Sequence, residues 1–245
     1  MSIMDSRRHI DINADVGEGW DDAAVAPFVN SVNIACGGHT GDETSMLAAL
    51  ELAARFQLRA GAHPSWPDRD GFGRRTMEMP REEFLACMDG QINRLARLAQ
   101  SQGIRLTHVK PHGALYHALY KDMNLARLFT RIVPKGLTVI TMPGGVLASA
   151  CDEMGIGVWF EGYADRAYTN LAKLASRDIP GALITDPAVA ARQAKALASG
   201  AAVTTLEGGE IRFSGLHTIC VHSDTPGAPP IAEAVCTALN ELKTL

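Results

Sequence analysis

The sequence predicts an α/β fold, an irregular (β/α) barrel of about seven parallel strands. Three observations predict it. Short apolar segments alternate with helix-period segments from end to end, which implies a parallel sheet joined by right-handed crossovers. Seven or eight such units favour closure into a barrel over a doubly wound open sheet, and 245 residues with 47% hydrophobic content can bury one such core. Finally, three apolar segments end in polar residues spaced two apart, so each aims a row of titratable groups from one strand face.

The strand candidates are residues 9–14, 32–36, 59–63, 106–110, 137–141, 157–161 and 218–222. Between them lie amphipathic stretches with start and stop signals. Asp42 or Thr44 caps a helix that runs through Met46, Leu50 and Ala53 to about residue 55. Pro80 starts a longer one, with Phe84, Met88, Ile92, Leu95 and Ala99 on one stripe and Gly103 at its end. Leu125, Leu128, Phe129 and Ile132 form another before Gly136, and Val146, Leu147, Ala150 and Met154 repeat the pattern before Gly155. Further helices cover 186–199 and 231–242. The segment T-T-L-E-G-G-E-I-R-F breaks the rhythm and reads as a hairpin turning at Gly208-Gly209, an appendage near 203–213. No linker or low-complexity stretch divides the chain, so residues 1–245 are expected to form one domain.

The formal charge of -4 and a pI near 6.1, with no Lys/Arg-rich run, give no nucleic-acid footprint. No apolar stretch approaches the roughly 20 residues of a membrane span. Arg7, Arg8 and His9 have no apolar region behind them, so a secretory signal is not expected. Cysteines 36, 87, 151, 220 and 236 contain no C-x-x-C pair, which fits reduced thiols and a cytoplasmic location.

The polar rows are Asp11, Asn13 and Asp15 in H-I-D-I-N-A-D; His108, Lys110 and His112 in H-V-K-P-H-G; and Cys220, His222 and Asp224 in T-I-C-V-H-S-D-T-P-G. Ligands bind at the carboxyl ends of strands in this architecture, so the rows point to an enzyme site. Paired carboxylates divide into a proton acceptor and a partner, or bind a hard metal. His39 in C-G-G-H-T-G-D, His63 in G-A-H-P and His112 come from three strands. With a carboxylate they can hold a divalent metal, or serve as neutral hydrogen-bond partners or an acid–base pair, and no local motif such as H-E-x-x-H decides between these. A barrel-facing Lys110 must be paired or functional. The loop S-W-P-D-R-D-G-F-G-R-R, with Trp66 and Phe72 read as exposed, offers Arg74 and Arg75 as an anion clamp. In Y-A-D-R-A-Y, Asp165 and Arg166 read as an ion pair that orders the loop. Cys36 reads as a buried small hydrophobe rather than a nucleophile. No phosphate-binding G-x-x-x-x-G-K-[ST] or G-x-G-x-x-G occurs, so ATP chemistry belongs on another chain.

D-I-N-A-D-V-G-E, N-I-A-C-G-G-H-T-G-D, G-A-H-P-S-W-P-D-R-D-G-F-G-R-R, V-K-P-H-G-A-L-Y, G-Y-A-D-R-A-Y and T-I-C-V-H-S-D-T-P-G-A together resemble the LamB/YcsF family, in order from about residue 9 to 228. The resemblance implies a barrel related to glycoside hydrolases and polysaccharide deacetylases. It also implies the role of the A subunit in an ATP-dependent 5-oxoprolinase. There, partner subunits B and C bind ATP and activate the lactam of 5-oxoproline by phosphorylation, and the A subunit opens the ring to give glutamate. On that footing Asp15 or Asp224 is the expected base, Lys110 and His112 stabilise the oxyanion, and His63 and Arg75 hold anionic parts of the substrate. Asp11, Asn13, His39, Asp165, Arg166 and His222 complete the expected pocket. The chain departs from the family pattern where Ala14 stands for a cysteine and where C-G-G-H and H-P-S-W replace C-G-F-H and H-P-G-Y. These changes bear on substrate identity. A stand-alone metal-dependent deacetylase and a non-catalytic regulatory barrel are the alternative readings.

Overall fold

Alternation along the strands gives each an apolar face for the helices and a second face for the barrel axis. The structure, a computed structural model, describes residues 10–242. The strands are β1 (Asp11–Val16), β2 (Ser31–Ala35), β3 (Arg59–His63), β4 (His108–Val109), β5 (Thr138–Thr141), β6 (Val158–Tyr163), β7 (Val203–Thr204), β8 (Glu210–Ile211) and β9 (Thr218–His222). Seven of them close a parallel barrel in the order β1-β2-β3-β4-β5-β6-β9, with β9 bonded to both β6 and β1. β7 and β8 form a separate antiparallel pair, Val203 opposite Ile211.

The helices are α1 (Asp22–Val25), α2 (Glu43–Arg55), α3 (Arg81–Ser101), α4 (Gly113–Lys121), α5 (Met123–Thr130), α6 (Val146–Glu153), α7 (Pro187–Ser199) and α8 (Ala228–Glu241). Asp42 caps α2 through a reciprocal pair with Ser45, which settles the choice against Thr44. The α3 stripe of Phe84, Met88, Ile92, Leu95 and Ala99 is buried as its 3.6-residue period requires. These side chains join Ile12, Ala14, Ile34, Val109, Ile219 and Val221 from the outer strand faces in one continuous core. Burial of each large apolar side chain contributes about 1.5–3 kcal/mol, so the core lies between barrel and helices.

Several boundaries differ from the sequence expectation. His9, the expected start of the first strand, lies outside the described residues, and β1 runs on to Val16. β6 extends to Tyr163 because Gly162 and Tyr163 stay in register with Ile219 and Cys220. Two helices were not legible. α1 is a single short turn, and α4 begins in the Pro111–Gly113 segment that reads as a loop. Trp66 is buried against Phe84 instead of exposed, their ring centroids 5.4 Å apart. Among the described residues no helix is long and apolar enough to cross a membrane, and all five cysteines are free thiols.

Gly61 of β3 sits where the His108 imidazole crosses the barrel interior. A Cβ built on Gly61 meets His108 Cδ2 at 2.2 Å. Gly61→Ala should therefore lower the unfolding free energy by about 1–3 kcal/mol, the usual cost of overpacking. Urea denaturation followed by circular dichroism measures it, and an unchanged midpoint contradicts this packing.

Candidate active site

The inward strand positions carry polar groups, and their hydrogen bonds form stacked layers. At the amino-terminal end of the barrel, Asp11 accepts from Ser31 Oγ at 2.7 Å and Thr218 Oγ1 at 2.6 Å, and it pairs with Arg59. One layer up, Asn13 donates to Thr218 Oγ1 at 2.7 Å. Asn33 donates to both Asn13 Oδ1 and Asp15 Oδ1 at 2.8 Å. His108 Nε2 donates to Asn33 Oδ1 at 2.9 Å, and its Nδ1 accepts from the Thr107 hydroxyl at 2.8 Å. Burial pushes the His108 imidazole down to about 3, so it stays neutral.

Above this layer lies the Lys110 ammonium, 2% exposed. It donates to Asn13 Oδ1 at 3.1 Å, Asp15 Oδ1 at 3.2 Å and Cys220 Sγ at 3.1 Å, and stands 3.0 Å from Glu161 Oε2. Burial alone would strip its proton, but the carboxylates of Asp15 and Glu161 hold its pKa well above the ordinary value. Burial likewise opposes ionisation of Asp15, yet His63 and Lys110 hold that carboxyl well below the usual range. Tyr163 donates to Glu161 Oε1 at 2.9 Å. The Tyr163 ring lies beneath the Lys110 ammonium, 5.5 Å away, and stacks on His222 with centroids 5.4 Å apart.

Beside this charge pair, Glu18, His39, His63 and His112 converge from the ends of β1 to β4. His39 Nε2 lies 2.8 Å from Glu18 Oε1, His112 Nδ1 lies 3.5 Å from the same oxygen, and His63 Nε2 lies 3.7 Å from it. His112 Nδ1 and His63 Nε2 are 2.9 Å apart. Burial drives His39 down to about 2 and His112 well below its ordinary value. Burial also raises Glu18, with help from the Asp15 charge, to about 7. Four ligand atoms this close, three of them imidazole nitrogens, could hold a metal ion.

A cavity of about 440 Å³ opens above Lys110, with Asp15, His63, His112, Tyr163 and His222 at its base and Arg74, Lys121, Arg166, Lys173 and Arg177 among its walls. Asp165 orients His222. It accepts from the His222 backbone N–H and from Nδ1, both at 3.0 Å, and from Thr225 Oγ1 at 2.5 Å. Nδ1 thus carries the proton, and Nε2 makes no hydrogen bond among the described residues.

The LamB/YcsF family pattern matches residues 10–244 of this sequence. The chain belongs to the LamB/YcsF family. It is similar to the 5-oxoprolinase A subunit of Thermus thermophilus, 39% identical over 241 residues that cover 95% of this chain and 96% of that one. A second protein of that name, from Chloroflexus aggregans, is 40% identical over 235 residues, covering 92% and 93%. The crystal structure of a lactam utilization protein from Thermus thermophilus superposes with a TM-score of 0.87 at 38% identity, over 95% and 96% of the two chains.

Within this LamB/YcsF barrel, the structure brings Asp15, His63, Lys110, His112, Arg166 and His222 to one cavity, with His39 directly behind. Other sequence candidates lie elsewhere. Asp11 is saturated by Ser31, Thr218 and Arg59 at the far end of the barrel, because it starts β1 instead of ending it. Arg75 is 65% exposed on its side chain and pairs with Asp68, so of these two neighbours only Arg74 lines the cavity. Asp224 is clamped between Arg74 and Arg177, at 2.6 and 2.9 Å, which makes it a poor base. Both nitrogens of His112 are engaged, Nε2 donating to the Phe72 carbonyl at 2.9 Å, so no N–H remains for an oxyanion. Asp165 pairs with His222, whereas Arg166 donates to the Ala175 carbonyl at 2.6 Å. Burial raises the Cys36 thiol to about 12, which removes it as a nucleophile.

Sequence reasoning missed Glu18 and Glu161. Glu18 follows the β1 row by three residues, past a turn at Gly17 (φ +74), and so falls outside the strand period. Glu161 had a signal, since it closes the apolar segment read as a strand over 157–161 and lies two residues before Tyr163 on the same face.

Lys110→Met leaves Asp15 and Glu161 buried without a counter-charge. It should cost about 3–5 kcal/mol of stability, measured as the shift of the urea unfolding curve. A variant as stable as the parent would show that the ammonium does not neutralise them.

Proposed function

We propose that this chain is the ring-opening component of an ATP-dependent 5-oxoprolinase, a hydrolase of C–N bonds in cyclic amides, and that it works with subunits B and C. The names carried by its relatives support this reading. The observation that carries it is the Asp165–His222 dyad, which faces the same cavity as the Lys110 ammonium, inside a cationic rim.

Each side chain then has a task. Arg166, Arg177 and Lys173 attract an anionic substrate, such as a lactam activated by phosphorylation on a partner protein. This chain contains no phosphate-binding loop motif, so ATP is taken to bind on subunits B and C. Lys110 supplies positive potential at the cavity, facing the lactam oxygen and the phosphoryl group it carries. Ionised Asp15 accepts a hydrogen bond from the attacking water. His222 Nε2 takes a proton from that water as its oxygen bonds to the lactam carbon. It then returns the proton to the ring nitrogen as the C–N bond breaks, leaving the phosphoryl group on the new acyl oxygen. A second water hydrolyses that acyl phosphate to the carboxylate of glutamate and inorganic phosphate. Asp165 holds the imidazole in the required tautomer throughout. The free thiols fit a reducing, cytoplasmic setting.

The test is glutamate release from 5-oxoproline and ATP by the chain mixed with subunits B and C. Glutamate should appear only when all three are present, and its absence from the full mixture would sink the proposal. His222→Asn should lower kcat by about 10²–10⁴-fold without changing the unfolding midpoint, the usual contribution of a positioned acid–base group. Full turnover by His222→Asn would remove the dyad from the mechanism.

A further inference from the structure

Four polar groups beside the cavity meet with their acceptors facing one another, and the hydrogen bonds behind them explain why. His63 Nδ1 lies 2.7 Å from the Lys110 carbonyl oxygen, which can only accept, so Nδ1 holds the proton. His112 Nε2 faces the Phe72 carbonyl at 2.9 Å and is fixed in the same way. His39 Nδ1 lies 3.0 Å from Ser65 Oγ, whose own proton goes to the Trp66 carbonyl at 2.8 Å, so that nitrogen donates too. Each outward nitrogen is therefore a donor. The inner nitrogens, Nε2 of His39, Nε2 of His63 and Nδ1 of His112, all face Glu18 Oε1. His63 Nε2 also lies 3.5 Å from Asp15 Oδ2, whose charge, against the effect of burial, raises the His63 pKa and favours a proton there when no cation is bound.

Lone pairs at such distances repel unless a cation or protons lie among them. We propose that Glu18, His39, His63 and His112 form a binding site for a first-row divalent cation of the zinc type. Three nitrogens and one carboxylate oxygen make a donor set this class of ion accepts. Ligands about 2.1 Å from a tetrahedral ion stand about 3.4 Å from each other. The 3.5 and 3.7 Å contacts already match that separation, and the 2.8 and 2.9 Å contacts need to open by about 0.5 Å. Protein metal sites place the non-ligating imidazole nitrogen on a carbonyl or similar acceptor, as all three histidines do here. His63 ends β3, and Glu18, His39 and His112 follow β1, β2 and β4 within about four residues, so four neighbouring strands bring the ligands to one edge of the barrel.

A second group, Asp15, Cys220 and His222, has metal-compatible spacing but a different fate. The Lys110 ammonium already stands 3.2 Å from Asp15 and 3.1 Å from Cys220, and its charge takes the place of an ion. The two groups thus make opposite predictions. The cation site is independent of the reaction proposed above.

The full chain, stripped with a chelator, is titrated with Co²⁺ and Zn²⁺ and followed by calorimetry and by the visible absorption of cobalt. One ion per chain is expected. Glu18→Gln and His39→Gln should each weaken binding at least tenfold. Ser65→Ala keeps all four ligands but frees the His39 ring, and should weaken binding about 10–100-fold. Cys220→Ser should bind like the parent. If a variant loses its native near-ultraviolet circular dichroism, the parent protein still decides. Zinc should move the ring ¹⁵N signals of His39 Nε2, His63 Nε2 and His112 Nδ1 while leaving their protonated nitrogens in place. No binding at millimolar metal, binding indifferent to Glu18→Gln and His39→Gln, binding lost in Cys220→Ser, or unmoved ring signals would each overturn the proposal.

Discussion

An ammonium group sealed inside a barrel must be matched by fixed negative charge, and Lys110 is matched by Asp15 and Glu161. Removing such charges from water costs several kcal/mol per ion, which their mutual attraction returns only when every remaining donor and acceptor is satisfied. Much of the interior serves that condition. Asn13 and Asn33 bridge the acceptors below Lys110, His108 fixes Asn33, and Gly61 leaves the space that His108 occupies. Barrel interiors are usually filled by branched apolar side chains. Here the axis is polar over several layers, and the apolar core lies between the strands and the helices.

The same charge pair organises the cavity. Because His63 and Lys110 together hold Asp15 as a carboxylate, a negative charge stands between the histidine cluster and the His222 side. The two sides are built on different logics. His39, His63 and His112 spend their outer N–H groups on carbonyl and hydroxyl oxygens and turn their other ring nitrogens toward Glu18. His222 instead spends its Nδ1 proton on a buried carboxylate and presents Nε2 to the open cavity. One side suits a cation and the other suits proton transfer. Arg74, Arg166 and Arg177 line the same cavity, the first and last of them paired with Asp224.

Most of the fold was legible because its signals are local. Strand–helix alternation, the α3 stripe and the terminator at Gly103 each follow from a fixed repeat over a few turns. The short α4 was hidden because Pro111 and Gly113 mark its start as a loop. The site was legible where it obeys the two-residue strand period, as for Asp15, Lys110 and His222. It was not legible where a turn resets the chain direction. Glu18 joins the histidines only after Gly17 reverses the backbone, and Arg74 and Arg75 exchange roles because Asp68 captures the second of them.

By itself the sequence determined a parallel barrel, the family, and the strand ends that carry polar groups. These depend on periodicity and on residue order, which are properties of the chain alone. Only the tertiary structure decided which end of a strand row is used, so that Asp11 closes the bottom of the barrel while Asp15 faces the cavity. It alone decided that Asp224 is neutralised by two arginines, that Asp165 belongs to His222, and that three histidines share one carboxylate. The reason is that charge, tautomer and ligand geometry depend on distances between strands remote in sequence, and barrel closure sets those distances.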